Sequence, residues 1–284
     1  MTGPLAILGP GTLGLSTAQW AAECGLEVRL LGRTLEHAEA GFRRIKLHWQ
    51  RAADAGRLSL ESMTSAQALI TPAPFSPAAL QGIATFLEAV PESPDAKVPV
   101  LAQASRWGNP DLLILTGTSA LPVSALAREA RLEGRLVGFH LFVPVPRMGV
   151  VEMAVAPYTE QVWVDRTRAL GQAFRKRVVQ VRDQPGFAAA RMALAQGLEA
   201  MRLLEAGVAT AEDLDALMTL GYGHPLGPLE LSDRVGLDLR LRIAEGLVAA
   251  GEPGFNPPPI LSQKVRDGFL GRKTSQGFHM WGEK

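Results

Sequence analysis

The sequence predicts an α/β protein in two parts, a doubly wound parallel sheet followed by an all-helical C-terminal domain. Short apolar runs alternate with amphipathic stretches through the first part of the chain. A glycine-rich turn joins the first apolar run to the first amphipathic one, as in a strand–turn–helix unit. After the Pro-Gly pair in Asp183-Gln184-Pro185-Gly186-Phe187 the pattern turns helical and stays so up to Gly251.

Leu5-Ala6-Ile7-Leu8 is apolar at every position, as a strand covered on both faces is. Gly9 to Gly14 forms the turn, Ser16 to Cys24 carries Ala and Trp at helical spacing, and Gly25 stops that helix. Leu26 to Leu31 follows as a second strand and completes a βαβ unit. Leu35 to Ala55 reads as one long amphipathic helix, with Phe42, Ile45, His48 and Trp49 on one face and Arg43, Arg44, Lys46 and Arg51 elsewhere. Ile83 to Val90, Leu112 to Leu115 and Leu136 to Phe142 are further buried strands, and Gly149 to Val155 is the next. A chain of 284 residues exceeds what one core usually serves. The composition change therefore divides it into a sheet domain, 1–182, and a helical domain, 183–284. Gly251 to Pro259, rich in Pro and Gly, is a loop.

Charge excludes some functions. Lys plus Arg number 29 and Asp plus Glu 28, so no overall field draws the chain to nucleic acid or to an anionic membrane. The longest apolar runs are shorter than the roughly 20 residues of a membrane-spanning helix, and the N-terminus lacks the pattern of a signal peptide. Cys24 is the single cysteine, which fits a reducing cytoplasm and a small core residue, and no His, Cys or carboxylate spacing marks a metal site.

Gly9-Pro10-Gly11-Thr12-Leu13-Gly14 has the G-x-G-x-x-G spacing of a Rossmann-type dinucleotide site. Gly9 makes the turn, Gly11 lets the backbone approach a pyrophosphate, and Gly14 allows close helix packing. Thr12 and Leu13 open the helix whose N-terminal amides face the phosphates. Where an NAD site carries an acidic residue at the end of the second strand, this chain has Leu31-Gly32-Arg33-Thr34. The guanidinium of Arg33 suits a 2′-phosphate, so Gly32-Arg33 favours NADP over NAD.

The catalytic candidates follow from strand ends. Thr116-Gly117-Thr118-Ser119 is a polar turn after one buried strand, and His140 closes another, at the sheet edge where ligands bind in open α/β folds. Glu152 lies on the following strand. A histidine paired with a carboxylate moves the proton of an alcohol while hydride goes to nicotinamide, because imidazole titrates near neutral pH and the carboxylate stabilises the imidazolium.

These stretches resemble the L-3-hydroxyacyl-CoA dehydrogenase family. Thr116 to Pro122 is similar to its S-N-T-S-S-L-P, Gly138 to Glu152 to its G-L-H-F-F-N-P-V-P-x-M-x-L-V-E, and Leu220 to Asp238 to its L-G-x-G-x-P-M-G-P-F-E-L-x-D-x-x-G-L-D. Leu87 to Lys97 and the terminal Gly271 to Phe278 extend the likeness over nearly the whole chain. The resemblance implies hydride transfer between NAD(P) and the C3 hydroxyl or oxo group of a 3-hydroxyacyl-CoA, with a homodimer formed through the helical domain. It assigns His140 as catalytic base, Glu152 as its orienting carboxylate and Ser119 as the contact to the substrate oxygen and cofactor. Glu92 and Lys97 fall near the nicotinamide-side ribose, and the helix bearing Arg43 and Lys46 falls where the family meets CoA phosphates.

Two departures from the family bear most on activity, beside Thr116-Gly117 in place of the Ser-Asn of its loop. Val143 replaces the asparagine after His-Phe-Phe, and Ala190 replaces the substrate-facing asparagine before Arg191. Losing such a donor can cost on the order of 10² to 10³ in rate. These departures keep two alternatives open, a 3-hydroxy acid dehydrogenase acting without CoA and a non-catalytic NAD(P)-binding homologue. His37, His224 and His279 carry no pattern beyond structural residues.

Overall fold

A computed structural model describes residues 3–282. By contact density the chain separates into two compact units, 1–184 and 185–284.

The first unit is built on an eight-stranded sheet in the order β3-β2-β1-β4-β5-β6-β7-β8. Its strands are β1 (Leu5–Leu8), β2 (Val28–Gly32), β3 (Ile70–Pro74), β4 (Thr85–Glu88), β5 (Leu113–Thr116), β6 (Val137–Leu141), β7 (Val150–Val155) and β8 (Arg177–Arg182). The helices α1 (Thr12–Glu23), α2 (Leu35–Asp54), α3 (Leu60–Ala68), α4 (Pro94–Trp107), α5 (Val123–Ala130) and α6 (Gln161–Ala173) connect them. The order places β1 and β4 inside the sheet, and every residue of both is buried: β1 is apolar throughout, as a strand covered on both faces is, whereas β4 carries Thr85 and Glu88 into the interior. Strands β1 to β6 are parallel, whereas β7 runs antiparallel to β6 and β8 parallel to β7.

Both edge strands are absent from the apolar pattern, for a physical reason. β3 contains Pro72 and Pro74, which cannot donate to a ladder and are tolerated at an edge. β8, Arg-Val-Val-Gln-Val-Arg, is exposed or half-exposed along its length. Helix α2 also differs from its expected face: Ala38, Gly41, Ile45 and Trp49 form the buried stripe, Phe42 is half-buried, and His48 is exposed. Cys24, at the C-terminal end of α1, is half-buried, and burial pushes its thiol up.

The second unit holds α7 (Ala189–Glu205), α8 (Ala211–Ala216), α9 (Pro228–Val235), α10 (Leu237–Ala249) and α11 (Pro259–Arg266). Leu194, Leu198, Met201, Leu229, Leu247 and Leu261 are among the side chains of its core. Leu237, Arg240, Ala244 and Leu247 form the buried stripe of α10, so a guanidinium lies within an apolar face. Burial lowers the Arg240 pKa to about 10, and its Nε and Nη2 have no hydrogen-bond partner.

Candidate active site

The glycine turn shapes the first part of the site. Gly9 has φ +107°, and a Cβ there would stand 2.5 Å from the Ala89 carbonyl oxygen. A Cβ on Gly14 would overlap the carbonyl oxygen of Gly9, so the turn and the start of α1 meet backbone to backbone. A Cβ on Gly11, by contrast, would meet nothing within 4 Å. The turn is therefore tight on its protein side and open on the other, which fits a pyrophosphate against the first amides of α1.

The open side is a cavity of about 870 Å³, lined among others by Gly9, Gly11, Thr12, Arg33, His37 and Phe75. Leu13 and Gly14 stand behind this wall, and Leu13 packs against the sheet-side core. Arg33, just past the end of β2, and His37, on the first turn of α2, line the cavity, and no carboxylate does. Sequence reasoning passed over His37, because its place on the first turn of α2 matters only once α2 is set beside the cavity.

A buried charge network occupies the carboxyl ends of β4 and β5. Lys97, on α4, is 1% exposed and lies 2.8 Å from Glu88 Oε1 and 3.2 Å from Glu92 Oε2. Glu92 Oε1 accepts bonds from the Thr118 hydroxyl at 2.6 Å, the Ser119 amide at 2.8 Å and the Ala120 amide at 3.1 Å. The Ser119 hydroxyl donates to the same oxygen at 3.3 Å. Burial is the largest influence on both carboxyls. It pushes Glu88 up against the opposing charge of Lys97. At Glu92 the charge of Lys97 and the bonds from Thr118 and Ser119 outweigh burial and hold the carboxyl below its ordinary value.

His140 and Glu152 face each other directly in the β6–β7 ladder. The imidazole Nδ1 lies 2.8 Å from Glu152 Oε2, with the two residues 9% and 2% exposed. The loop between them is tied from both sides, since the Val145 amide donates to Ser16 Oγ at 2.9 Å and Lys176 Nζ donates to the Val145 carbonyl at 2.6 Å. Thr116, at the end of β5, pairs with Gly138 of β6, so the Ser119 turn leaves the sheet beside the strand that carries His140.

A second groove, about 590 Å³, runs along α1 and α2 and is lined by Arg44, His48, Arg57, Val143 and Arg147. The residues expected on this helix, Arg43 and Lys46, do not line it: Arg43 is 3.9 Å from Glu39 on an exposed face, and Lys46 sits 4.5 Å above the Phe42 ring. In the second unit Ala190 opens α7, and Arg191 pairs with Glu252 at 3.1 Å. His279 bonds Asp215 at 2.8 Å, a carboxylate contact that 64 residues of separation hid from sequence reasoning. Among the described residues no cluster suits a metal ion, and no helix is long and apolar enough to cross a membrane.

A glycine turn opening onto a long cavity, on a doubly wound sheet with a histidine–carboxylate pair at its carboxyl edge, defines a nicotinamide-dinucleotide oxidoreductase. The comparisons narrow the class. Residues 4–184 match the model of the 3-hydroxyacyl-CoA dehydrogenase NAD binding domain, and residues 186–281 match that of the 3-hydroxyacyl-CoA dehydrogenase C-terminal domain. The chain belongs to the 3-hydroxyacyl-CoA dehydrogenase family. It is 33% identical to a probable 3-hydroxybutyryl-CoA dehydrogenase of Bacillus subtilis, over 99% of this chain and 98% of that one. The crystal structure of Mycobacterium tuberculosis FadB2 is similar with a TM-score of 0.92 at 32% identity, and covers 99% of both chains. The structure of (S)-3-hydroxybutyryl-CoA dehydrogenase PaaH1 from Ralstonia eutropha also has a TM-score of 0.92, at 30% identity and 99% coverage of each chain.

Proposed function

We propose that the chain transfers a hydride between NAD(P) and C3 of a 3-hydroxyacyl-CoA, with His140 as the acid–base group. The observation that carries this is the His140–Glu152 pair, fixed by ladder register at 2.8 Å beside the Ser119 turn. With Nδ1 held by the carboxylate, proton exchange with the substrate hydroxyl falls to Nε2, and Glu152 stabilises the imidazolium that results. Bound NAD(P) supplies the hydride acceptor in oxidation and the donor in reduction. Ser119 releases its long bond to Glu92 by rotation about χ1 and donates to the oxygen at C3, while its amide stays fixed on Glu92. With Val143 in place of an amide side chain, Ser119 carries a larger share of that oxygen's stabilisation.

Two finer assignments rest on the cavity walls. Arg33 and His37, with no carboxylate at the end of β2, favour the 2′-phosphate of NADP over a free ribose hydroxyl. Arg44, Arg57 and Arg147 on the second groove suit the phosphates of CoA, a role that passes from Arg43 and Lys46 to their neighbours. Reversing Arg44 and Arg147 to Glu should raise KM for a CoA ester about tenfold or more; an unchanged KM would make the groove a solvated surface. A homodimer through the second unit is supported by the exposure of Leu217, Leu220, Tyr222 and Met280, and sedimentation of the purified protein tests it. The lone Cys24 suits a reducing, cytoplasmic setting.

The direct assay is loss of reduced-nicotinamide absorbance when acetoacetyl-CoA is added to the protein with NADH or NADPH. Oxidation of either supports the dehydrogenase. Tight nucleotide binding without oxidation would favour a protein that binds NAD(P) and no longer catalyses.

A further inference from the structure

We infer that Glu88 is a positioning residue for the reaction, acting through Lys97 and Glu92 on Ser119; the inference rests on the role proposed for Ser119. Glu88 ends β4 and is fully buried, and it lines neither cavity itself. Its carboxylate is saturated by four contacts: the Val90 amide at 2.6 Å, the Thr116 hydroxyl at 2.7 Å, and Lys97 Nζ at 2.8 and 3.1 Å. Lys97 reaches Glu92 on its other side and also donates to the Val90 carbonyl at 3.3 Å. Glu92 then gathers Thr118, Ser119 and Ala120.

The turn after β5 is thus held at two points by two carboxylates that share one ammonium. Glu88 holds its first residue, Thr116, and Glu92 holds its tip. Thr116 also accepts from the Thr118 amide at 3.3 Å, which links the two points. Buried charge is costly unless paired, so an ionised Glu88 has no reason to persist in a core for packing alone. What it does is balance Lys97. With one carboxylate on each side, the ammonium does not draw Glu92 away from the turn. If Glu88 is made neutral, the whole attraction of Lys97 falls on Glu92 in a low-dielectric site, and the Ser119 turn moves with it.

The test is a double-mutant cycle of Glu88→Gln and Ser119→Ala, read as kcat and KM with acetoacetyl-CoA. Gln keeps the shape and the acceptor oxygen but removes the charge. Glu88→Gln should lower kcat about tenfold with KM for the acyl-CoA nearly unchanged, because a small misplacement of a reacting group is enough. In the Ser119→Ala background the same change should cost less than about twofold. An undiminished cost there, with Ser119→Ala itself impaired, would overturn the role of Glu88 and leave that of Ser119 standing. Wild-type turnover in Ser119→Ala would remove the role of Ser119, and that of Glu88 with it. Thr116→Val, which removes the hydroxyl's bond to Glu88 and the one it accepts from the Thr118 amide while leaving the charges in place, should show the same pattern at smaller size with Thr116→Ser restoring it. If Glu88→Gln does not fold, the Thr116 pair decides: full turnover in Thr116→Val would then overturn the role of Glu88.

Discussion

Two buried ionic devices serve one edge of the sheet, and they are made differently. His140 and Glu152 are 12 residues apart and meet because β6 and β7 are adjacent antiparallel strands with these residues opposite each other. Glu88, Lys97 and Glu92 come from β4, α4 and the loop between them, and their work is done on a turn that lies 26 to 28 residues further along the chain. Ladder register places the first pair rigidly, each side chain directly across the hairpin from the other. The second is a balance of charges whose geometry depends on every member being ionised and present. The pair should therefore lose function when changed and keep its fold, whereas the network should lose both.

Lys97→Met would break the contrast most forcefully. It leaves the buried Glu88 and the half-buried Glu92 without their cation, and it should destabilise the protein by about 3–5 kcal/mol in denaturant unfolding. Arg240→Met is the control, since Arg240 is a buried charge whose Nε and Nη2 have no partner to lose, and its removal should leave Tm unchanged or raised. Equal losses in the two variants would mean that burial, not pairing, governs both. Glu152→Gln should preserve Tm and lower kcat on the order of 10-fold to 10², because the ring stays in place while its charged form loses support.

A smaller effect tests the cofactor wall. Arg33→Ala should weaken NADPH about tenfold and NADH little, by loss of a guanidinium–phosphate bond, in a direct binding titration. Equal weakening of both would remove the 2′-phosphate from Arg33. The mildest test concerns pH. Glu92 is held below its ordinary value, so the stability it gives the turn is fully present above the ordinary carboxylate range and is lost only as pH falls through the lower, folded value. Hydrogen exchange at the Ser119 and Ala120 amides should stay slow through the ordinary range and quicken only below it. Quickening at the ordinary value would show that Lys97 does not govern Glu92.

The same contrast explains what was legible in the sequence. The strand–turn–helix opening, the buried central strands and the switch to helices are local patterns, and they appear in the structure as β1, α1, β2, β4, β5, β6 and the second unit. The edge strands β3 and β8 were not legible, because prolines and exposed polar residues satisfy an edge without making an apolar run. His140 and Glu152 could be proposed as a pair because their strands adjoin in sequence. Glu88 could not, although a lone acid closing Thr-Phe-Leu-Glu was a visible oddity, since only the packing of α4 against β4 shows that Lys97 answers it. Arg44 and His48 were separated from Arg43 and Lys46 only by the rotation of α2, which its buried stripe fixes.

His140→Ala, compared with wild type in one experiment, tests the central claim most directly: nucleotide binding is titrated first, then acetoacetyl-CoA is added and oxidation of the reduced cofactor is followed. The two proteins should bind the nucleotide equally, and the variant should turn over slower by on the order of 10² to 10⁴. Turnover in His140→Ala within about twofold of wild type would contradict the assignment of proton transfer to His140.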